Sequence, residues 1–217
     1  MPRPKEFSPD NALLAAMQLF REKGYTATSM EDLVQAMGIN RASLYNTFGN
    51  KHDLYMQALK VYWASVLMPP FQAFAASGNM MQALAGFEEI SGCFLLGCMS
   101  ELAASDPEVA EFSAACFADL ESMLRSAVAE ERANGLWPHV QSDAEAASLL
   151  LACLVGMRLL GKANLAFHGH LGMKLLARTL VAKSAKDNVA RAVSNGTTNL
   201  SDTLQVEQTF VYIRNKP

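Results

Sequence analysis

Residues 29–48, SMEDLVQAMGINRASLYNTF, decide the fold. They divide into a short helix running from about Ser29 to Met37, a turn at Gly38, and a second helix that Asn40 can cap, with Leu44 and Phe48 as its inner face. Thr28 and Glu31 have the spacing of a capping box, in which each side chain satisfies a backbone N–H near the helix start, so this pair is expected to open the first helix. Gly38 can adopt the positive φ of a tight turn. A first helix, a glycine-containing turn of three to four residues and a second helix with its apolar side turned inward are the proportions of a helix-turn-helix.

Helix signals continue on both sides. Upstream, Ser8 is a candidate N-cap and Pro9 suits a first turn. Leu13, Leu14, Met17 and Phe20 follow the 3.6-residue period, and Gly24 ends the helix. Downstream, Gly49-Asn50 breaks the chain before Lys51 opens a helix carrying Leu54, Leu59, Tyr62 and Trp63, which Pro69-Pro70 is expected to close at a domain boundary. Further helices are expected near 79–90, 92–104, 107–134, 143–166 and 170–183, punctuated by Pro107, Gly135, Pro138 and a Ser142-Asp143 cap. Strand alternation is nearly absent before residue 205, so the fold class is all-α. The domains expected are an arm and helix-turn-helix over 1–50, a linking helix over 51–68, a larger helical domain over 69–184, and a weakly ordered tail over 185–217. From Ala144 to Leu165 the chain is apolar almost all round, which requires burial on more than one side and makes a partner subunit a natural cover.

With Leu44 and Phe48 inward, helical geometry turns Arg41, Ala42, Ser43, Tyr45, Asn46 and Thr47 outward. That set suits DNA in a major groove. Arg41 could donate two bonds to guanine and Asn46 could bond adenine, while the small Ala42 and Ser43 permit close approach. Tyr45, Thr47 and Lys51 suit phosphates, with the N–H groups that open the Lys51 helix as an added anion site. Thr28 joins this DNA-facing set, and Arg3 and Lys5 could follow the backbone or the adjacent minor groove. The same spacing also fits a plain helical hairpin with a solvated polar face.

Composition bounds the rest without choosing between these readings. The 217 residues are 51% hydrophobic and 18% charged, a globular composition. The longest charge-free stretch of the apolar C-terminal half, 146–157, is well short of the roughly 18 residues that span a bilayer, so no membrane partner is expected. MPRPKEFSPD has no apolar core behind its basic residues, so no secretory signal is expected and a cytoplasmic location follows. Cys93, Cys98, Cys116 and Cys153 are then thiols. Net charge is −3; residues 1–60 hold seven Lys/Arg against six Asp/Glu, leaving eleven against fifteen for the remainder, so charge identifies no partner.

The residues also carry a resemblance. RPKEF, followed by ALLAAMQLFREKGYTATSMEDLVQAMGINRASLYNTFGNKHDLYMQAL, is similar almost position by position to the DNA-binding domain of TetR-family transcriptional regulators. The first-helix phenylalanine and Gly-Tyr, the Thr-Ser start of the second helix, the G-I-N-R-x-S-L-Y segment and the F-G-N-K link all match over residues 3–60. Val34 stands where the family often has a small alanine. The resemblance implies a homodimer, joined through the 143–166 and 170–183 helices, whose recognition helices enter successive major grooves of a palindromic double-stranded operator. It also implies a small-molecule inducer in the C-terminal domain, with no cofactor.

The inducer side is thinly specified. Met81, Phe87, Cys93, Phe94, Cys98, Cys116 and Phe117 could line a pocket or simply form core. Cys93 follows Ser91-Gly92 near a helix start, where the macrodipole favours thiolate, and its setting resembles family members that respond to electrophiles or oxidants. Small buried thiols are the plainer account of Cys93 and Cys98. His168-Gly-His170 lacks further ligands at metal spacing. Gly156 to Lys162 fits G-x-x-x-x-G-K, but Ala163 stands where a hydroxyl must bind magnesium, so it reads as helix interior. No G-x-S-x-G, H-E-x-x-H or C-x-x-C occurs, so an enzyme is not expected. A helical small-molecule-binding or interaction protein with a purely structural helix-turn-helix is the alternative.

Overall fold

The computed structural model describes residues 7–76, 93–134 and 142–162. Among them all regular structure is helical. Helix α1 spans Pro9–Lys23: the Ser8 hydroxyl accepts the Asn11 N–H, and Gly24 stops the helix at φ +83°. Its buried face is Ala12, Ala16, Met17 and Phe20, whereas Leu14 is exposed, so the apolar stripe lies to one side of the face expected from Leu13 and Leu14.

Helix α2 spans Met30–Met37 and its capping box is one residue later than expected. Ser29 Oγ accepts the Asp32 N–H at 3.0 Å and the Asp32 carboxylate accepts the Ser29 N–H at 2.9 Å. Thr28 is unavailable for the role because it is buried and its hydroxyl donates to the Gly24 carbonyl at 2.6 Å, tying it to the preceding turn. Gly38 then turns the chain in the left-handed region at φ +65°. Helix α3, Arg41–Phe48, is capped by Asn40, whose side-chain oxygen accepts the Ser43 N–H at 2.8 Å. Helix α4, Lys51–Tyr62, is framed by a second box between Asn50 and Asp53.

Pro69-Pro70 does not close this helix. After α4 the chain widens into a π-helical turn, Trp63–Leu67, in which the Met68 N–H reaches back to the Trp63 carbonyl, and continues as α5, Met68–Ala76. Prolines lack an N–H and crowd the carbonyl four residues back, so a loosened turn just before them lets the helical path continue. No break in the described chain falls at residue 68. Among the described residues three more helices follow: α6, Phe94–Leu102; α7, Pro107–Ala133, capped by the Asp106 carboxylate; and α8, Asp143–Lys162, of which Gly156–Lys162 are the last seven residues. The helices expected over 79–90 and 170–183, the end of the 143–166 helix, and the 185–217 tail lie outside the described residues.

The core is centred on α4, which buries Leu54, Tyr55, Met56, Ala58, Leu59 and Tyr62. Edge-to-face aromatic contacts carry this core across the molecule: Phe20 of α1 meets Tyr55 at 4.8 Å between centroids, Tyr55 meets Phe94 of α6 at 5.2 Å, and Tyr62 meets Phe94 at 5.5 Å. Helices α7 and α8 pack along one another, and Ala146, Ala147, Leu150 and Leu154 form the buried side of α8. Arg132 is tied to Asp143, and the Ser148 hydroxyl to Glu121, across this pair.

Candidate nucleic-acid interface

Helix α3 divides as its sequence requires. Leu44 and Phe48 are buried, whereas Arg41, Ala42, Tyr45, Asn46 and Thr47 are exposed and Ser43 is half-buried. Tyr45 is 45% exposed, a large ring left on the surface beside polar neighbours. The helix presenting them is held at both ends. Asn40 caps its start, and at its end Gln57 of α4 donates to the Phe48 carbonyl at 3.0 Å. Gly49 turns away at φ +81°, and a Cβ there would run into the Asp53 carboxylate. The result is a short, rigid helix with one sealed and one open face.

The charged members of the expected set are less free than the sequence implies. Arg41 pairs with Glu31 at 3.1 Å, an exposed pair whose partners separate at little cost. Lys51 lies with Nζ 4.3 Å from the centre of the Tyr25 ring, a cation–π contact, and burial lowers its ammonium pKa against the opposing pull of Glu101. Its placement on Tyr25 is therefore internal. The anion site expected at the start of α4 is filled, because Asn50 already accepts the His52 and Asp53 N–H groups. Thr28 leaves the interface altogether, being buried with its hydroxyl engaged. Arg3 and Lys5 lie outside the described residues.

Other polar groups at this end of the molecule had no signal in the sequence. The Glu101 carboxylate, on α6, accepts the Tyr25 N–H at 2.9 Å and the Thr26 N–H at 2.6 Å. His52 Nε2 lies 2.6 Å from Asp106, and its Nδ1 lies 3.8 Å from Glu108. Burial alone would raise the pKa of both Glu101 and Asp106, yet both sit below the usual carboxylate value because accepted N–H groups and nearby cations favour the ionised form. These pairs join residues more than fifty positions apart, a distance at which neither capping spacing nor periodicity gives a cue.

The candidate sensing residues fall into two groups. Phe94, Cys98 and Cys116 are core side chains. Burial pushes the Cys98 thiol up to about 11 and the Cys116 thiol up to about 12, so both are neutral near pH 7 and neither is activated for chemistry. Cys93 is different: it is half-buried at the N-cap position of α6 and near Tyr62, whose hydroxyl is raised to about 12 by burial first and Cys93 second. Phe117 is half-buried, and Met81 and Phe87 lie outside the described residues. Two charged groups were hidden by the apolar pattern, Glu131, buried on α7, and the buried Nη1 of Arg158 on α8. Among the described residues no three His, Cys, Asp or Glu side chains are grouped to hold a metal, and no helix is long and apolar enough to cross a membrane.

A capped helix-turn-helix with an open polar face, set against longer packed helices, is the build of a helix-turn-helix regulator. Residues 12–58 match the family model of the tetR family of bacterial regulatory proteins. The chain is 32% identical over 123 residues to the uncharacterised HTH-type transcriptional regulator YezE of Bacillus subtilis, a match covering 52% of this chain and 63% of that one. It is 29% identical over 167 residues to the HTH-type transcriptional repressor ComR of Escherichia coli, covering 71% of this chain and 80% of ComR. A TetR-family regulator from Cytophaga hutchinsonii has the same fold, with a TM-score of 0.71 at 19% identity over 82% of this chain and 98% of that one.

Proposed function

We propose that the chain is a DNA-binding transcriptional repressor that acts as a homodimer on a palindromic operator. The observation that carries this reading is the open face of α3: Arg41, Ala42, Tyr45, Asn46 and Thr47 are exposed together on a helix whose other side is sealed and whose ends are both capped. Arg41 and Asn46 read base edges, Tyr45 and Thr47 hold phosphates, and the small Ala42 and Ser43 let the helix approach closely. The repressor named among its relatives, ComR, supports the same direction of control.

Dimerisation rests on α8. Leu149 and Leu159 are 46% and 48% exposed, with exposed Ala152 between them and Gly156 facing open space on the same helix. A second copy on this stripe would cover it, and two heads so joined would sit roughly 34 to 36 Å apart, one turn of B-DNA. Release follows from a small molecule that prefers a different head spacing, or from modification at Cys93. A protein reading chromosomal DNA works in the cytoplasm.

Fluorescence anisotropy on DNA from the chain's own upstream region tests this. The expected outcome is tight, salt-dependent binding, reduced at least about a hundredfold in the Arg41→Ala, Tyr45→Phe double variant with dimerisation and helix content unchanged. Equal affinity in that variant would leave the helix-turn-helix purely structural. Alkylation of the native protein separates the two release routes: lost binding points to Cys93, retained binding to a reversible ligand.

A further inference from the structure

Glu101 stands one residue before the end of α6, where a negative side chain opposes the dipole of its own helix. Its carboxylate is turned instead onto the turn between α1 and α2. One oxygen accepts the Tyr25 N–H and the other the Thr26 N–H, so a single charged group holds two consecutive amides. The turn is shaped to receive it. Gly24 has φ +83°, and a Cβ at that position would come within 2.9 Å of the Glu101 carboxylate. The Tyr25 ring carries the Lys51 ammonium, which also attracts Glu101 electrostatically, and Lys51 opens α4 immediately after the α3–α4 turn. One residue on, His52 meets Asp106, the cap of α7. Polar ties from α6 and α7 thus converge on one patch of the head, made of Tyr25, Thr26, Lys51 and His52.

We propose that Glu101 is a positioning residue that fixes how the helix-turn-helix is presented to DNA by gripping the Tyr25-Thr26 turn. The proposal rests on the DNA-binding reading above. With the carboxylate in place the head samples few orientations, and little ordering remains to be done when both heads meet the operator. Without it the head is held by apolar contacts and His52, and its orientation broadens. No phosphate contact is lost, so the dependence of affinity on salt stays as it was.

The test uses the full-length wild type, Glu101→Ala and the near-isosteric Glu101→Gln, which keeps an acceptor and serves if the alanine variant fails to fold. The probe is a duplex selected by the wild type from random-sequence DNA. Glu101→Ala is expected to bind it roughly tenfold more weakly, the loss of one charge-assisted hydrogen-bonded pair, and Glu101→Gln less so, both with the wild-type salt slope. Hydrogen exchange is expected to show the Tyr25 and Thr26 amides losing protection while those of Leu44 and Phe48 keep theirs. A purely structural Glu101 would lower Tm and leave affinity unchanged, which overturns the proposal, as does unchanged exchange at Tyr25 and Thr26. If the wild type selects no duplex, the DNA-binding reading fails and the proposal with it; if the wild type binds and Glu101→Ala binds equally well, the proposal alone fails.

Discussion

The head and the body of this molecule are organised by different means. In the head, α1 to α4 are each 15 residues or shorter, and each is opened by its own Ser or Asn cap; the first three end at Gly24, Gly38 and Gly49. Its helices are therefore fixed largely by interactions within three or four residues. In the body, α7 runs 27 residues and α8 20, and their placement depends on what their apolar sides meet. The head seals its core within one chain, whereas α8 leaves Leu149 and Leu159 on the surface. Locally punctuated helices are set by their own caps and glycines; long, sparsely punctuated ones are placed by what covers their apolar sides.

The sharpest way to break this contrast is truncation at the two centres. Phe20→Ala in the head is expected to lose about 3 to 5 kcal/mol and Leu124→Ala in the body about 2 to 5, both read from urea unfolding. Both residues are about 1% exposed, and an effect under 1 kcal/mol at either would show a core far looser than described. Next, Leu149→Lys with Leu159→Lys should raise the dimer dissociation constant at least about tenfold in sedimentation experiments while sparing helix content, since two charges would be placed on the uncovered stripe. A dimer unaffected by the pair would assign the interface elsewhere. Gly49→Ala should cost about 1 to 3 kcal/mol in thermal unfolding, because alanine is strained at that φ and its methyl meets Asp53.

The smallest expected effect is a pH-dependent one in the α2 cap. Asp32 is held at about 2, below its ordinary 3.8, first by the Ser29 backbone N–H and then by Lys23 and the Ser29 hydroxyl. Its folded pKa is depressed, so its stabilisation is fully present above 3.8 and is lost as the pH falls toward about 2. Asp32→Ala should therefore melt slightly below wild type at neutral pH, and the gap should close across that interval. A gap that persists at the acid end would show that the carboxylate charge is not what the cap uses.

How much was legible follows the same division. Leu44 and Phe48 inward, with Arg41, Tyr45, Asn46 and Thr47 outward, could be read from spacing because a short helix with two apolar residues four apart has one way to face a core. The capping box was misplaced by one residue, since Thr28 satisfies the spacing rule but is drawn into the Gly24 turn by a bond the rule does not see. Pro69-Pro70 looked like a terminus because proline statistics assume an ordinary α-helix, and the π-helical turn before it removes that assumption. The sequence sets Cys93 apart by its place near a helix start, but that Cys98 and Cys116 are core thiols is decided by burial.

By itself the sequence determined the helices of the head, their order and the side chains on the open face of α3, because caps, glycines and a 3.6-residue period act over one or two turns. The tertiary structure decided which charges are free and which are engaged. Lys51 on Tyr25, Glu101 on the amides of Tyr25 and Thr26, and His52 against Asp106 all join segments brought together only by packing. An electrostatic contact depends on distance in space, and no local pattern along a chain encodes a neighbour in a distant segment.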